Sequence, residues 1–336
     1  MRAVEIRGAF GLDNLALVER PDPVPGPGQA LVRLRAASLN YRDLLTVEGK
    51  YNPKQKLPLI PCSDGAGEVV AVGEGVSRVQ PGDRVCAIFA QRWIAGEPSR
   101  ERLRSTLGGP LDGTLAELAV FDQEGLVKFP EHLSDEEAAT LPCAAVTAWS
   151  ALVTEGDLKA GDTVLVLGTG GVSLFALQLA KILGARVIAT SSRDDKLERV
   201  RELGADGLIN YREVPEWGKR AKELTGGTGV DHVVEVGGAG TLQQSLQAVR
   251  FGGTISLIGN LSGTKTELLL THIFMQRIRA NGILVGHRES FEAMNRAIDL
   301  HRLRPIIDRV FPLEESPAAF RHMAAGEHFG KIVVRV

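Results

Sequence analysis

The sequence predicts an α/β protein: a doubly wound parallel sheet in the second half of the chain, preceded by a β-rich half to which the C-terminal strand returns. Three observations predict it. Up to about residue 145, short strands are punctuated by proline- and glycine-rich turns. After that point six short apolar runs alternate with helical periodicity, the pattern of a parallel sheet with crossover helices. Finally, the stretch Val164 to Ser173 breaks an apolar run into glycines where a helix should begin. At 336 residues the chain is long for one core, and a rate of about 150 residues per domain suggests two.

The N-terminal residues Met1 to Ile6 are charged and alternating, as in a first strand, and show no apolar run before a cleavage site. Strands follow at Ala30 to Arg35, Gly67 to Val72 and Asp83 to Ala87, with turns at Pro21 to Gly28 and at Val79-Gln80-Pro81-Gly82. The second half reads as strands Thr163 to Leu167, Arg186 to Thr190, Gly207 to Asn210, Asp231 to Val236, Gly253 to Ile258 and Gly282 to Val285. A helix at about Ser290 to His301 precedes a last strand, Gly330 to Val336.

The glycine turn is the strongest chemical signal. Gly168 can make the tight turn off the strand, and Gly170 removes a side chain, so that backbone N–H groups of Gly171 and Val172 can approach phosphates at a helix N-terminus. Ser173 stands where the usual pattern has a third glycine. From Val172 the apolar residues Val172, Phe175, Ala176, Leu179 and Leu183 give a helix one buried face, which stops at Gly184. Thr163 to Ala180 carry no charge, so a membrane span must be weighed; two central glycines and the change of period argue against it.

An NAD site usually places an acid about 20 residues beyond the glycines, on the ribose 2′ hydroxyl. Here the second strand runs into Thr190-Ser191-Ser192-Arg193-Asp194-Asp195-Lys196, with no carboxylate at its end. Ser191 and Ser192 can donate to a 2′-phosphate and Arg193 and Lys196 can neutralise it, which favours NADP(H). Ser192 followed by Asp195 also reads as an N-cap arrangement, and the two aspartates would repel a phosphate that they faced. The missing acid argues equally against an S-adenosylmethionine site.

A formal net charge of −2 leaves no electrostatic footprint for nucleic acid. The three cysteines, Cys62, Cys86 and Cys143, are odd in number and far apart, which suits reduced thiols in a cytoplasm.

In order along the chain, Ser38-Leu39-Asn40-Tyr41-Arg42-Asp43, Asp64-Gly65-Ala66-Gly67-Glu68-Val69-Val70-Ala71-Val72-Gly73, Pro81-Gly82-Asp83-Arg84-Val85, Gly113-Thr114-Leu115-Ala116-Glu117, the glycine turn, Leu203-Gly204-Ala205-Asp206, Asn210-Tyr211 and Gly330-Lys331-Ile332-Val333 form a set. With it the sequence resembles the medium-chain dehydrogenase/reductase superfamily, and more closely its zinc-free quinone-oxidoreductase-like branch. The resemblance implies a β-rich GroES-like catalytic domain over residues 1–144, a Rossmann dinucleotide domain over 145–286, and a segment 287–336 that completes the first. It also implies a homodimer.

Zinc enzymes of the superfamily bind catalytic metal through a cysteine, a Gly-His-Glu histidine and a later cysteine or aspartate; the matching places here hold Asn40, Ser63 and Cys143, with Asp64 at the place of the glutamate. One thiolate is not a zinc site. The four-cysteine structural lobe would fall near residues 88–112, which contain no cysteine. No metal is therefore expected, and Cys143 reads as a packed thiol rather than a nucleophile. Without a Lewis acid, the substrate oxygen must be polarised by hydrogen bonds and protonated by a side chain or water. The resemblance offers Asn40 as an amide donor and Tyr51 as a phenol, with Tyr41 and Asp43 on the same loop; Asp43 can equally cap a helix and Tyr41 can pack.

For the cofactor, the resemblance carries Thr147 to the nicotinamide side and Lys196 and Tyr211 to the 2′-phosphate, and Lys331 joins the cofactor set. Gly237, Gly259 and Gly286 are expected to terminate three successive strands where backbone approaches the dinucleotide. His287 falls near the nicotinamide but reads equally as structural. The arginines Arg92, Arg100, Arg102 and Arg104 can recognise an anion or simply be a solvated loop. The implied activity is NADPH-dependent hydride transfer to a quinone, an enone or an aldehyde or ketone. Its alternatives are an alcohol dehydrogenase, metal-independent or zinc-dependent, and an NADPH-binding protein without turnover.

Overall fold

The computed structural model of the chain describes residues 1–336. It divides into two compact units, Met1–Val146 with Gly286–Val336, and Thr147–Val285.

In the first unit β1 (Arg2–Ile6) and β2 (Leu15–Glu19) form an antiparallel pair. The strands β3 (Gln29–Ser38), β4 (Asp64–Val72), β5 (Arg84–Ala87), β6 (Leu118–Asp122) and β7 (Leu126–Lys128) belong to a larger sheet. Close approach of β3 and β4 requires Gly67, since a Cβ there would lie 2.1 Å from the carbonyl oxygen of Arg33. One core of this unit gathers Leu39, Leu44, Val47, Leu115, Phe320 and Ile332. Burying such apolar side chains stabilises by roughly 1.5–3 kcal/mol each.

The second unit carries β8 (Thr163–Leu167), β9 (Arg186–Ser191), β10 (Gly207–Asn210), β11 (Val230–Glu235), β12 (Val249–Leu257) and β13 (Arg279–Gly282). All pair in parallel in the order β10-β9-β8-β11-β12-β13, the doubly wound order with its switch point between β8 and β11. Every residue of β8 is buried, as expected for a central strand covered on both faces.

The last strand of this sheet is not where the apolar run lies. Gly282 to Val285 was the expected strand, yet β13 is Arg-Ala-Asn-Gly and mostly exposed. As an edge strand paired only to β12 it needs no apolar side chains on both faces, and Val285, at φ 51°, has left extended geometry. No helix of the chain is long and apolar enough to cross a membrane.

After the second unit the chain returns to the first: β14 (Ile307–Pro312) pairs in parallel with β15 (Lys331–Arg335), and β15 lies antiparallel to β3. The expected returning strand is therefore β15. Its sheet runs β14-β15-β3-β4-β5-β7, with β6 also on β3. The helix expected from Ser290 spans Arg288–His301.

Candidate active site

Strand pairing assembles a polar cluster at one end of the interior strands β15, β3 and β4 of the first unit's sheet. Ser38, the last residue of β3, faces Asp64, the first of β4, and also faces Val333 near the start of β15. The residues just beyond these strand ends therefore converge: Asn40, Ser63 with Asp64, and Lys331. The Lys331 ammonium donates to the carbonyl of Leu39 at 2.5 Å and to Asn40 Oδ1 at 2.7 Å. Asn40 Nδ2 donates to Ser63 Oγ at 3.4 Å, and Ser63 Oγ donates to Asp64 Oδ1 at 2.7 Å. The second Asp64 oxygen accepts from the backbone N–H of Cys143 at 3.1 Å. Cys143 lies in a π-helical turn, Leu141–Ala145, that the sequence did not reveal.

Asn40 opens the helix Tyr41–Val47, and Asp43 in its first turn takes the Asn40 N–H on Oδ2 at 2.8 Å. Asp43 is fully buried, with its other oxygen 3.3 Å from Arg42, so it supports the loop from within. Arg42 also donates to the carbonyls of Leu107 and Gly109 and packs its guanidinium against the Tyr51 and Phe89 rings. Tyr41 and Tyr51 are 42% and 48% exposed, whereas Asn40 retains only 8%. Of the four expected catalytic residues, the structure thus brings Asn40 and Asp43 into the buried cluster and leaves both tyrosines at the surface.

Burial raises the Asp64 carboxyl to about 6, against the lowering effects of the Lys331 charge and the Asn40 and Ser63 hydrogen bonds. Burial likewise raises Asp43, against the charge of Arg42. It pushes the Cys143 thiol far up, so that this group stays protonated near neutrality. No group of three His, Cys, Asp or Glu side chains comes together to hold a metal ion.

In the second unit, Gly168 leaves β8 at φ 73° and donates its N–H to Thr190 at 3.0 Å. Only a residue without Cβ adopts this turn at little cost. The helix Gly171–Ile182 starts from Gly170 with no side-chain cap, and a Cβ at Gly168 or Gly170 would meet nothing within 4 Å. The first-turn N–H groups at Gly171 and Val172 are thus uncovered by side chains, which suits a phosphate. Ser173 is buried and donates Oγ–H to the carbonyl of Leu167 at 2.6 Å, tying helix to strand where the usual pattern has glycine.

At the neighbouring strand ends, Ser191 of β9 faces Asn210 of β10, and Tyr211 N–H donates to the Ser191 carbonyl at 3.0 Å. Lys196 lies in the first turn of the helix Asp194–Glu202. The Ser192–Asp195 cap does not form. Arg193 is the N-cap, and its guanidinium grips both oxygens of Asp195 at 2.9 and 2.6 Å, a competing pairing that takes the carboxylate away from Ser192. Asp194 accepts from Asn210 Nδ2 at 2.8 Å. Thr147 is buried in the short helix Val146–Trp149.

Gly237 and Gly259 follow β11 and β12 by two residues and are needed for close packing: a Cβ would lie 2.3 Å from Thr241 Oγ1 and 2.3 Å from the Val236 carbonyl oxygen, respectively. Gly286 does not terminate a strand, because β13 ends at Gly282, and it belongs to the first unit. There His287 caps the following helix, its Nδ1 accepting from Ser290 N–H at 3.1 Å. Lys331, expected with the cofactor residues, is hydrogen-bonded within the Asn40 cluster.

Glu235, at the end of β11, escaped the sequence reading. Fully buried, it accepts from the N–H groups of Gly237 and Gly238 at 2.8 and 3.0 Å, from Thr241 Oγ1 at 2.6 Å and from Ser245 Oγ. The available signal was a lone acid inside Val233-Val234-Glu235-Val236-Gly237-Gly238. Replacing Glu235 by alanine strands four donors and should destabilise by about 3 kcal/mol or more, measured by denaturant unfolding.

Two units, one a parallel sheet with an uncapped glycine turn at its central strand and the other a β-rich body with a buried polar cluster, define a dinucleotide-linked oxidoreductase. Family models agree: residues 26–131 match the alcohol dehydrogenase GroES-like domain and residues 171–299 the zinc-binding dehydrogenase domain. A zinc-type alcohol dehydrogenase-like protein of Schizosaccharomyces pombe is 43% identical over 97% of this chain and 96% of its own. A solved NAD-dependent alcohol dehydrogenase is 36% identical with a TM-score of 0.92, covering 100% of both chains. A crotonyl-CoA carboxylase/reductase in complex with NADP is 27% identical with a TM-score of 0.88, over 100% of this chain and 94% of its own. The chain belongs to the medium-chain dehydrogenase/reductase superfamily, with a Rossmann dinucleotide domain and a GroES-like catalytic domain.

Proposed function

We propose that the protein is an NADP(H)-dependent, zinc-independent oxidoreductase that reduces an electrophile bearing a polarisable oxygen: a quinone, an enone, or an aldehyde or ketone. One observation carries this reading, the Asn40 amide held on the Lys331 ammonium at a position where zinc enzymes of the superfamily have a metal ligand. Zinc does not fit these residues. Asn40 Oδ1 already faces an ammonium at 2.7 Å and the Ser63 hydroxyl is given to Asp64, which leaves the Cys143 thiol as the one soft donor among the three places. A zinc site needs three protein ligands.

The bound nicotinamide supplies the hydride. The chain's own part is to hold the dinucleotide and to stabilise charge on the substrate oxygen. Asn40 offers an amide N–H to that oxygen. Tyr51 and Tyr41, both exposed, are the candidate phenols for its proton, and Asp43 fixes the loop that carries them.

NADP(H) is supported by the end of β9. Ser191 and Ser192 stand where an acid would hold a ribose hydroxyl, Lys196 and Tyr211 flank them in sequence or across the strand pair, and both nearby aspartates are engaged, Asp194 by Asn210 and Asp195 by Arg193. Comparing the affinity of NADPH and NADH, followed by a panel of 2-cyclohexen-1-one, 1,4-benzoquinone and benzaldehyde, and of alcohols with NADP⁺, tests the reading. NADPH should bind about tenfold or more tightly, and Lys196→Ala should remove most of that preference while leaving NADH binding unchanged. Tighter NADH binding, or faster alcohol oxidation than reduction of every acceptor, would contradict it.

A homodimer is part of the proposal. The outer strand β13 has an unpaired edge, and Phe251, Leu270, Phe274 and Met275 of the same unit are exposed, an apolar surface that a second copy would cover. Sedimentation of the wild type should give twice the chain mass.

A further inference from the structure

The orientation of the Asn40 amide follows from its neighbours. An ammonium has donors and no acceptor, so the amide atom 2.7 Å from Lys331 Nζ is the oxygen. Ser63 gives its proton to Asp64 and so accepts from the other arm, Nδ2. Both neighbours impose the same orientation. Nδ2 carries two hydrogens and faces both the Asp64 carboxyl, which its hydrogen bond lowers, and Ser63 Oγ at a long 3.4 Å; the weak hold on Ser63 is the one that a better acceptor can displace.

Lys331 itself is spent in an unusual way. It is 4% exposed and, although Asp43 and Asp64 are near enough for its charge to lower both carboxyls, its hydrogen bonds go to two neutral carbonyl oxygens. A buried cation kept for stability alone is normally paired with a carboxylate. We propose that Lys331 is a positioning residue for the reaction. It locks the amide so that Asn40 presents N–H rather than carbonyl oxygen to the substrate, and its charge on Oδ1 polarises the amide and strengthens that N–H as a donor. Lys331 need not touch substrate or dinucleotide to do this. The inference rests on the reading that Asn40 meets the substrate oxygen.

The test uses the acceptor of the panel that the wild type reduces fastest, with NADPH. Lys331→Met should lower kcat by about tenfold to a hundredfold, the worth of a hydrogen bond to a charged group, while the NADPH dissociation constant, read by its fluorescence, stays within about twofold. Lys331→Arg, which keeps a cationic donor, should recover most of the rate. Lys331→Gln keeps a donor without the charge and should fall between; it decides the matter should the methionine variant fail to fold. In an Asn40→Ala background, Lys331→Met should cost nothing further, a non-additivity that a purely structural lysine would not show. Wild-type kcat in Lys331→Met or Lys331→Gln, or a loss that appears only as weakened NADPH binding, overturns the inference. The two claims separate cleanly: a slow Asn40→Ala with a fast Lys331 variant sinks only the role of Lys331, whereas wild-type kcat in Asn40→Ala sinks the reading of Asn40 beneath it.

Discussion

Asn40→Asp should fold, bind NADPH as the wild type does, and lose kcat by about a hundredfold or more, the scale of removing one donor from an oxyanion site. The substitution is nearly isosteric, and a carboxylate keeps an acceptor for the Lys331 ammonium, 2.7 Å from the present Oδ1. What changes is the other arm. Nδ2, which faces Ser63 and the buried Asp64 carboxyl, becomes an oxygen, so a donor is replaced by an acceptor that repels both Asp64 and negative charge developing on a substrate oxygen. Steady-state kinetics with thermal unfolding on the same preparations checks it. An Asn40→Asp enzyme of unchanged kcat would remove Asn40 from the mechanism.

The second large effect is on stability and depends on pH. Asp64 is fully buried, and its carboxyl sits at about 6 in the folded protein against an ordinary 3.8. The folded state therefore holds the Asp64 proton more tightly than the unfolded state does. The sign follows: the stabilisation is fully present below about pH 4 and is lost as pH rises through about 6. At 1.36 kcal/mol per pH unit the whole effect is about 3 kcal/mol. Asp64→Asn has no such titration. Its unfolding free energy relative to the wild type should rise by about 2–3 kcal/mol between pH 4 and pH 8, whatever constant cost it carries from altering the bonds to Ser63 and Cys143. Denaturant unfolding of both proteins across that range measures it, and parallel pH profiles would contradict it.

Legibility in the sequence followed the range of the interactions. Central strands such as β8 and β9 are buried on both faces, so they read as apolar runs, and the glycine turn between β8 and its helix is a local signature. The edge strand β13 was misplaced because an edge does not need the apolar pattern, while Ile283 and Val285 beyond it are buried after the chain has left the sheet. Asn40 and Asp43 were legible because they share one helix start. The contact of Lys331 with Asn40 was not legible, because nothing local links residues 291 apart; only the pairing of β15 with β3 brings them together. Arg193 with Asp195 shows the converse: a cap pattern in sequence lost to an ion pair two residues long.

Hydride transfer at a cluster built on Asn40 and Lys331, as proposed, proceeds without zinc. The direct measurement is elemental analysis of the purified protein together with NADPH oxidation rates before and after chelation and dialysis. Substoichiometric zinc and an unchanged rate are expected. Stoichiometric zinc that leaves together with activity, and restores it when returned, would contradict it.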